Sequence, residues 1–293
     1  MLGPQMCGGT SQNIDNDAPK TIKSDDMIFF KADSDLHIIA DPEPQKENHW
    51  INYISAYAAP VDSGYLLTLS ASDRRERNEF SWAVVKESIF PKLAALVKEA
   101  NLAACNGRQS YTYGLPQNFG GSVLIEYDSG EKIEYSNNQS PVFGKDFAAS
   151  LFEIFSNALS GEKAQLPDAE MITAVKFHET RLSSYTHAEL TPNTDGTYNI
   201  KKEYKFEGPD VSAYNETVPA DVMQKIKDAA QKNAVLLWEW LPSSGFDSVI
   251  DKTLTFVLNN GDEVVVKNDR VLPDRLSGAF YAIESELMAL RSN

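Results

Sequence analysis

The sequence predicts an α+β fold made twice: two homologous tandem domains, each an antiparallel sheet with two helices packed on one face. Three observations predict it. Apolar stretches of period two and period 3.6 follow one another through short turns, with no regular βαβ alternation. Two stretches recur at a nearly constant offset: Tyr53, Ala56, Pro60 and Gly64 match Tyr185, Ala188, Pro192 and Gly196, 132 residues on. An aromatic phrase also recurs, "YTYGLP" at 111–116 and "WEWLP" at 238–242. A chain of 293 residues has room for two such domains.

Each copy reads as a strand, a hairpin, a helix, a strand, a hairpin and a closing helix. The first hairpins hold the matched residues just named, and Asp195-Gly196 is a turn signal because type I′ turns need positive φ. The first helices follow Phe90-Pro91 and Val218-Pro219; proline suits the first helical turn, where a missing N–H costs nothing. Leu93, Leu96, Val97 and Ala100 line one face in the first copy, and Val222, Ile226 and Ala229 do so in the second. Next comes the aromatic phrase, read as a strand. Alternation then puts Tyr111 and Tyr113 on one side, and likewise Trp238 and Trp240. The expectation is that these rings plug the gap between helix and sheet; the functional alternative is an exposed strip for a glycan or peptide. "VLIEYDSGEKIEY" (123–135) and "LTFVLNNGDEVVV" (254–266) are hairpins around Ser-Gly and Asn-Gly turns. Pro141 and Pro273 precede the closing helices, lined by Phe143, Phe147, Leu151, Ile154 and Ala158, and by Leu276, Phe280, Ile283, Leu287 and Leu290. The domains are expected at 27–160 and 170–293, with a linker at 161–169. The stretch 40–50 reads as a polar insertion in the first copy between its first strand and its hairpin.

A formal charge of −15 repels phosphate backbones, which sets nucleic acid and anionic lipid surfaces aside as partners. No apolar run approaches the roughly 18 residues of a membrane span. Two cysteines make no disulfide framework; Cys105, at the end of an apolar helix, is expected to be a buried inert thiol. Chemical motifs are scarce. "FGG" (119–121) lacks the Lys-Ser/Thr of a phosphate loop. "HETRL" (178–182) lacks the second histidine of a zinc helix, and His178 with His187 has no third ligand in view. "DND" (15–17) and "DSD" (33–35) lack the Gly and Glu of a calcium loop. No catalytic residue, metal ligand or cofactor is expected.

Residues 8–26, "GGTSQNIDNDAPKTIKSDD", lack periodicity and read as a flexible polar tether, so that 1–26 forms no part of either domain. Preceded by Cys7, the stretch resembles the mature start of a bacterial lipoprotein, in which the cysteine carries lipid. Residues 1–6, "MLGPQM", have neither the basic start nor the apolar segment of a signal peptide, so the resemblance implies a signal missing from this chain. The part 235–290 resembles uncharacterised domains of bacterial secreted and lipid-anchored proteins, with a Gly-turn hairpin, a proline and a closing helix. That resemblance implies a compartment alone: cell surface or extracytoplasmic if the signal is missing, and otherwise cytoplasmic. The favoured function is a monomeric, non-enzymatic, surface-anchored binding or structural module for a protein, peptide or glycan. The alternatives are a hydrolase with its site in the interdomain cleft and a two-repeat inhibitor of a partner protein.

Overall fold

A computed structural model describes residues 13–37, 48, 50–73, 77–112, 120–206, 210–243, 250–273 and 275–289. The chain is α+β and divides into two compact units, Met1–Gln165 and Leu166–Asn293.

The first unit opens with a short strand, β1 (Asn13–Ile14), and then a four-stranded antiparallel meander: β2 (Met27–Asp35), β3 (Tyr53–Val61), β4 (Gly64–Ser72) and β5 (Asn78–Val85). Helix α1 (Phe90–Glu99), strands β6 (Arg108–Ser110), β7 (Gly121–Tyr127) and β8 (Lys132–Asn137), and helix α2 (Lys145–Leu159) follow. The strand order is β1-β6-β8-β7-β2-β3-β4-β5. Alternation puts Phe30, Ala32, Ile54, Ala56, Leu67 and Leu69 on the face where Leu93, Leu96 and Val97 of α1 and Phe147, Leu151 and Phe155 of α2 complete one core. The opposite face is apolar as well: Phe29, Tyr57, Leu66 and Val84 are buried, and the Phe29 and Tyr57 rings meet edge to face at 5.3 Å. Gly64 is obligatory at the β3–β4 turn, since a Cβ there would lie 2.3 Å from the Val85 carbonyl oxygen.

The second unit repeats the meander as β9 (Ile172–Arg181), β10 (Ser184–Pro192), β11 (Tyr198–Phe206) and β12 (Val211–Val218). Helix α3 (Asp221–Lys232), strands β13 (Asp251–Leu258) and β14 (Glu263–Lys267), and helix α4 (Gly278–Ala289) follow. Its order, β12-β11-β10-β9-β13-β14, coincides with β5-β4-β3-β2-β7-β8 of the first unit. Matched residues fall at matched places. Ala56 and Ala188 are fully buried, and Pro60 and Pro192 stand opposite Tyr65 and Tyr198. In both units the chain leaves the first helix through a left-handed residue, Asn101 (φ 53°) and Ala234 (φ 52°), into a short 3-10 helix. The β2–β3 connection runs from residue 36 to 52, whereas the β9–β10 turn is two residues, 182–183.

Three expectations need correction. Each unit has a four-stranded meander, not a strand and a hairpin; β5 and β12 lack the clean apolar alternation that would have marked them. The phrase at 238–242 is not a strand: Val235–Trp240 is a 3-10 helix. Finally, the described part of the presumed tether, 13–26, is docked on the first unit. Asn13 and Ile14 pair with Gln109 and Arg108, and the Asp15 amide donates to the Gly107 carbonyl at 2.9 Å. Asn106 donates from Nδ2 to the carbonyls of Pro19 (2.9 Å) and Lys132 (2.7 Å). The Glu131 carboxylate accepts from the amides of Lys23 (3.0 Å) and Ser24 (2.9 Å), which hold it below the usual carboxylate range. Ile22 packs against the core. Such docking runs largely through hydrogen bonds to backbone groups and leaves no hydrophobic period to read.

Candidate binding surface

Strand β12, "VSAYNETV", is the edge of the second sheet, and its residues 211–217 are all exposed on both faces. The reason is its distance from the core. In β11 only Ile200 and Lys202 are buried, so the β11–β12 hairpin projects past the helices. Its register places Phe206 opposite Ser184, Val211 opposite Lys205 and Tyr214 opposite Lys202. Exposed apolar side chains line this edge: Phe206 (76% exposed) and Val211 (48%) at the end beside Leu182 (95%) of the β9–β10 turn, and Tyr214 (50%) further along β12. Tyr204 and Tyr214 meet edge to face at 6.0 Å. Soluble proteins usually blunt such edges with lysine, proline or a bulge. β12 has none of these and a single charge, Glu216.

The equivalent edge of the first unit is covered at its C-terminal end. The Ala164 amide donates to the Val84 carbonyl (2.8 Å), the Lys86 amide donates to the Glu162 carbonyl (3.2 Å), and Val85 bridges Lys163. Among the described residues nothing closes β12 in this way. Pro219 follows Val218 where Lys86 follows Val85, and so supplies no amide at that point.

Between β9, β13 and α4 lies a charged cluster. Lys252 on β13 contacts Glu284 of α4 at 2.6 Å and Glu179 of β9 at 3.2 Å, and Glu179 also pairs with Arg181. Burial pushes the Glu179 carboxyl up, but its bonds to Arg181 and Lys252 outweigh that and hold it below the usual carboxylate range. Burial pushes the Lys252 ammonium down, and its bonds to Glu284 and Glu179 more than reverse this. The buried Lys202 ammonium reaches the Met288 carbonyl at 3.2 Å, in the last turn of α4. These ties brace the sheet against α4. Sequence reasoning passed the cluster over. The available signal was a charge in an apolar phase: Glu179 continues the inward row Val175, Phe177, and Lys252 the row Leu254, Phe256.

Trp238 and Trp240 do not share a side. A 3-10 helix turns once every three residues, so positions two apart diverge. Trp238 is fully buried, its Nε1–H donating to the Asn233 carbonyl at 3.1 Å, whereas Trp240 is 53% exposed. Tyr111 lies just beyond β6 and is 40% exposed; Tyr113 lies outside the described residues. Trp238 is thus a core plug, and Trp240 is neither a plug nor half of a paired strip. Cys105 is buried, but it is disulfide-bonded, not a thiol, which removes it as a nucleophile. The sequence holds one other cysteine, Cys7, outside the described residues. A groove of about 470 Å³ lined by Asn13, Asp15, Asn106, Glu131 and Glu134 belongs to the docking of the N-terminal segment. No helix among the described residues is long and apolar enough to cross a membrane. No protein-family model matches the chain, and no curated protein matches it.

Proposed function

We propose that the protein is a non-enzymatic, extracytoplasmic binding module of two duplicated domains, and that it captures an extended polypeptide segment as an added strand along β12. One observation carries this reading: β12 is an edge strand exposed over Val211–Thr217, with neither lysine nor proline to blunt it. An added strand gains main-chain hydrogen bonds along the edge, and side-chain pockets at alternate positions select the sequence. Phe206 and Tyr214 supply apolar contacts on one face and Val211 on the other. The first unit already binds residues 162–164 at its equivalent edge.

Common ancestry of the units rests on their shared strand order and on the matched Ala, Pro and left-handed positions. The compartment rests on Cys105, because disulfides persist where the surroundings are oxidising. With two cysteines in the sequence, a disulfide within one chain takes the Cys7 sulfur, the atom that a lipid anchor needs. We therefore favour retention outside the cytoplasm without a lipid on Cys7.

The test is selection of random peptides displayed on phage against the full chain, with each enriched peptide measured on the Tyr214→Ser, Ala213→Pro double variant. Both sites are exposed, so the fold should survive, which circular dichroism checks. Enriched peptides are expected to lose binding to the variant. Equal binding by wild type and variant would remove β12 as the site.

A further inference from the structure

The face of the second sheet away from its helices carries a row of side chains in register. Thr253 of β13 stands opposite His178 of β9, His178 opposite His187 of β10, and His187 opposite Glu203 of β11. The two imidazole centres are 6.1 Å apart. Thr180 Oγ1 lies 2.9 Å from His178 Nε2, and the Tyr185 ring stacks on His178 at 6.3 Å. We propose that His178 and His187 chelate a divalent first-row transition-metal ion of the zinc, nickel or copper class.

The distances suit such a chelate. Metal–imidazole bonds of about 2.0–2.1 Å place the two ring centres roughly 5–6 Å apart when one ion bridges them. The observed separation needs only small ring rotations, and β9 and β10 are interior strands whose Cα positions are fixed by neighbours on both sides. The Thr180 hydroxyl engages one nitrogen of His178 and leaves Nδ1 for the ion; a hydrogen bond at the second ring nitrogen is what orients metal-bound histidines generally. Imidazole selects these metals over calcium and magnesium. No three His, Cys, Asp or Glu side chains converge among the described residues, so the site supplies two protein donors and water completes the shell. Glu203, ion-paired to Lys201 at 2.8 Å, adds negative charge beside His187. Neither histidine serves the core, since both stand on the solvent face. The row is independent of the β12 edge.

Calorimetric titration of the full chain with zinc chloride, and separately with nickel chloride, in a non-chelating buffer tests the site. One saturable equivalent is expected on the wild type and on a His37→Ala, His49→Ala control. His178→Ala and His187→Ala should each weaken binding by roughly 10²-fold, as a chelate becomes a single imidazole. Imidazole NMR resonances of the wild type should show the same two histidines shifting together, which keeps the test independent of variant folding. Absence of saturable binding, binding that survives in His187→Ala, or loss in the control would overturn the proposal.

Discussion

Replacing Trp238 by alanine tests the reading of the aromatic phrase most directly. Trp238 is among the largest fully buried side chains and lies within the 3-10 helix that follows α3. A tryptophan buries up to about 250 Å². At about 25 cal/mol per Å² its burial contributes up to about 6 kcal/mol. Alanine keeps part of this and the site partly collapses, so large-to-small losses of about 3–5 kcal/mol are the expected range. The Asn233 carbonyl also loses the indole N–H that it accepts at 3.1 Å. A loss of about 4–5 kcal/mol is a large share of the 5–15 kcal/mol that stabilises a typical domain. Trp240→Ala, at a half-exposed ring, should cost less than about 1 kcal/mol. Urea unfolding followed by circular dichroism reads both variants; the transition of the second unit should move far toward lower urea for Trp238→Ala and barely for Trp240→Ala. Trp238→Phe should fall between them, keeping most of the apolar area while leaving the carbonyl without its donor. Equal losses at 238 and 240 would mean that the two rings share a side, and the 3-10 assignment would fall.

Two further outcomes are expected. Peptide mapping without reductant should find no free thiol and a cross-link between the peptides of Cys7 and Cys105. Reduction should then lower stability by about 2–4 kcal/mol, and a lipid found on Cys7 would refute the assignment. The acid limb of stability should depend on Glu179. Its folded carboxyl titrates below its unfolded value of about 4.3, so its contribution is complete above that pH and is lost as pH falls through the folded value. Glu179→Gln should therefore destabilise the second unit at pH 7 by about 1–3 kcal/mol and flatten its loss of stability below about pH 4.3; an unchanged acid limb in urea titrations would show that the cluster around Lys252 is not the source.

What the sequence determined by itself is local and periodic. The apolar 3.6 period of 90–99 and 145–159, the alternation of 123–135 and 254–266, and the glycines at 64, 130, 196 and 261 each act within a few residues. They place helices, hairpins and turns without reference to the rest of the chain. The recurrence near an offset of 132 extends this to architecture, because two stretches with the same order of local signals reach the same strand order. What only the tertiary structure decided depends on partners far along the chain. Nothing in "VSAYNETV" says that it lies at an edge, since edge and centre are defined by which strand comes next in space. The polar stretch 13–26 carries no period, and its place is set by Asn106 and Glu131, about a hundred residues away. His178 and His187 meet through strand register. Trp238 and Trp240 part because the segment packs under α3 as a 3-10 turn, where tertiary burial of Val235, Leu236 and Leu237 outweighs the strand preference of its aromatic residues.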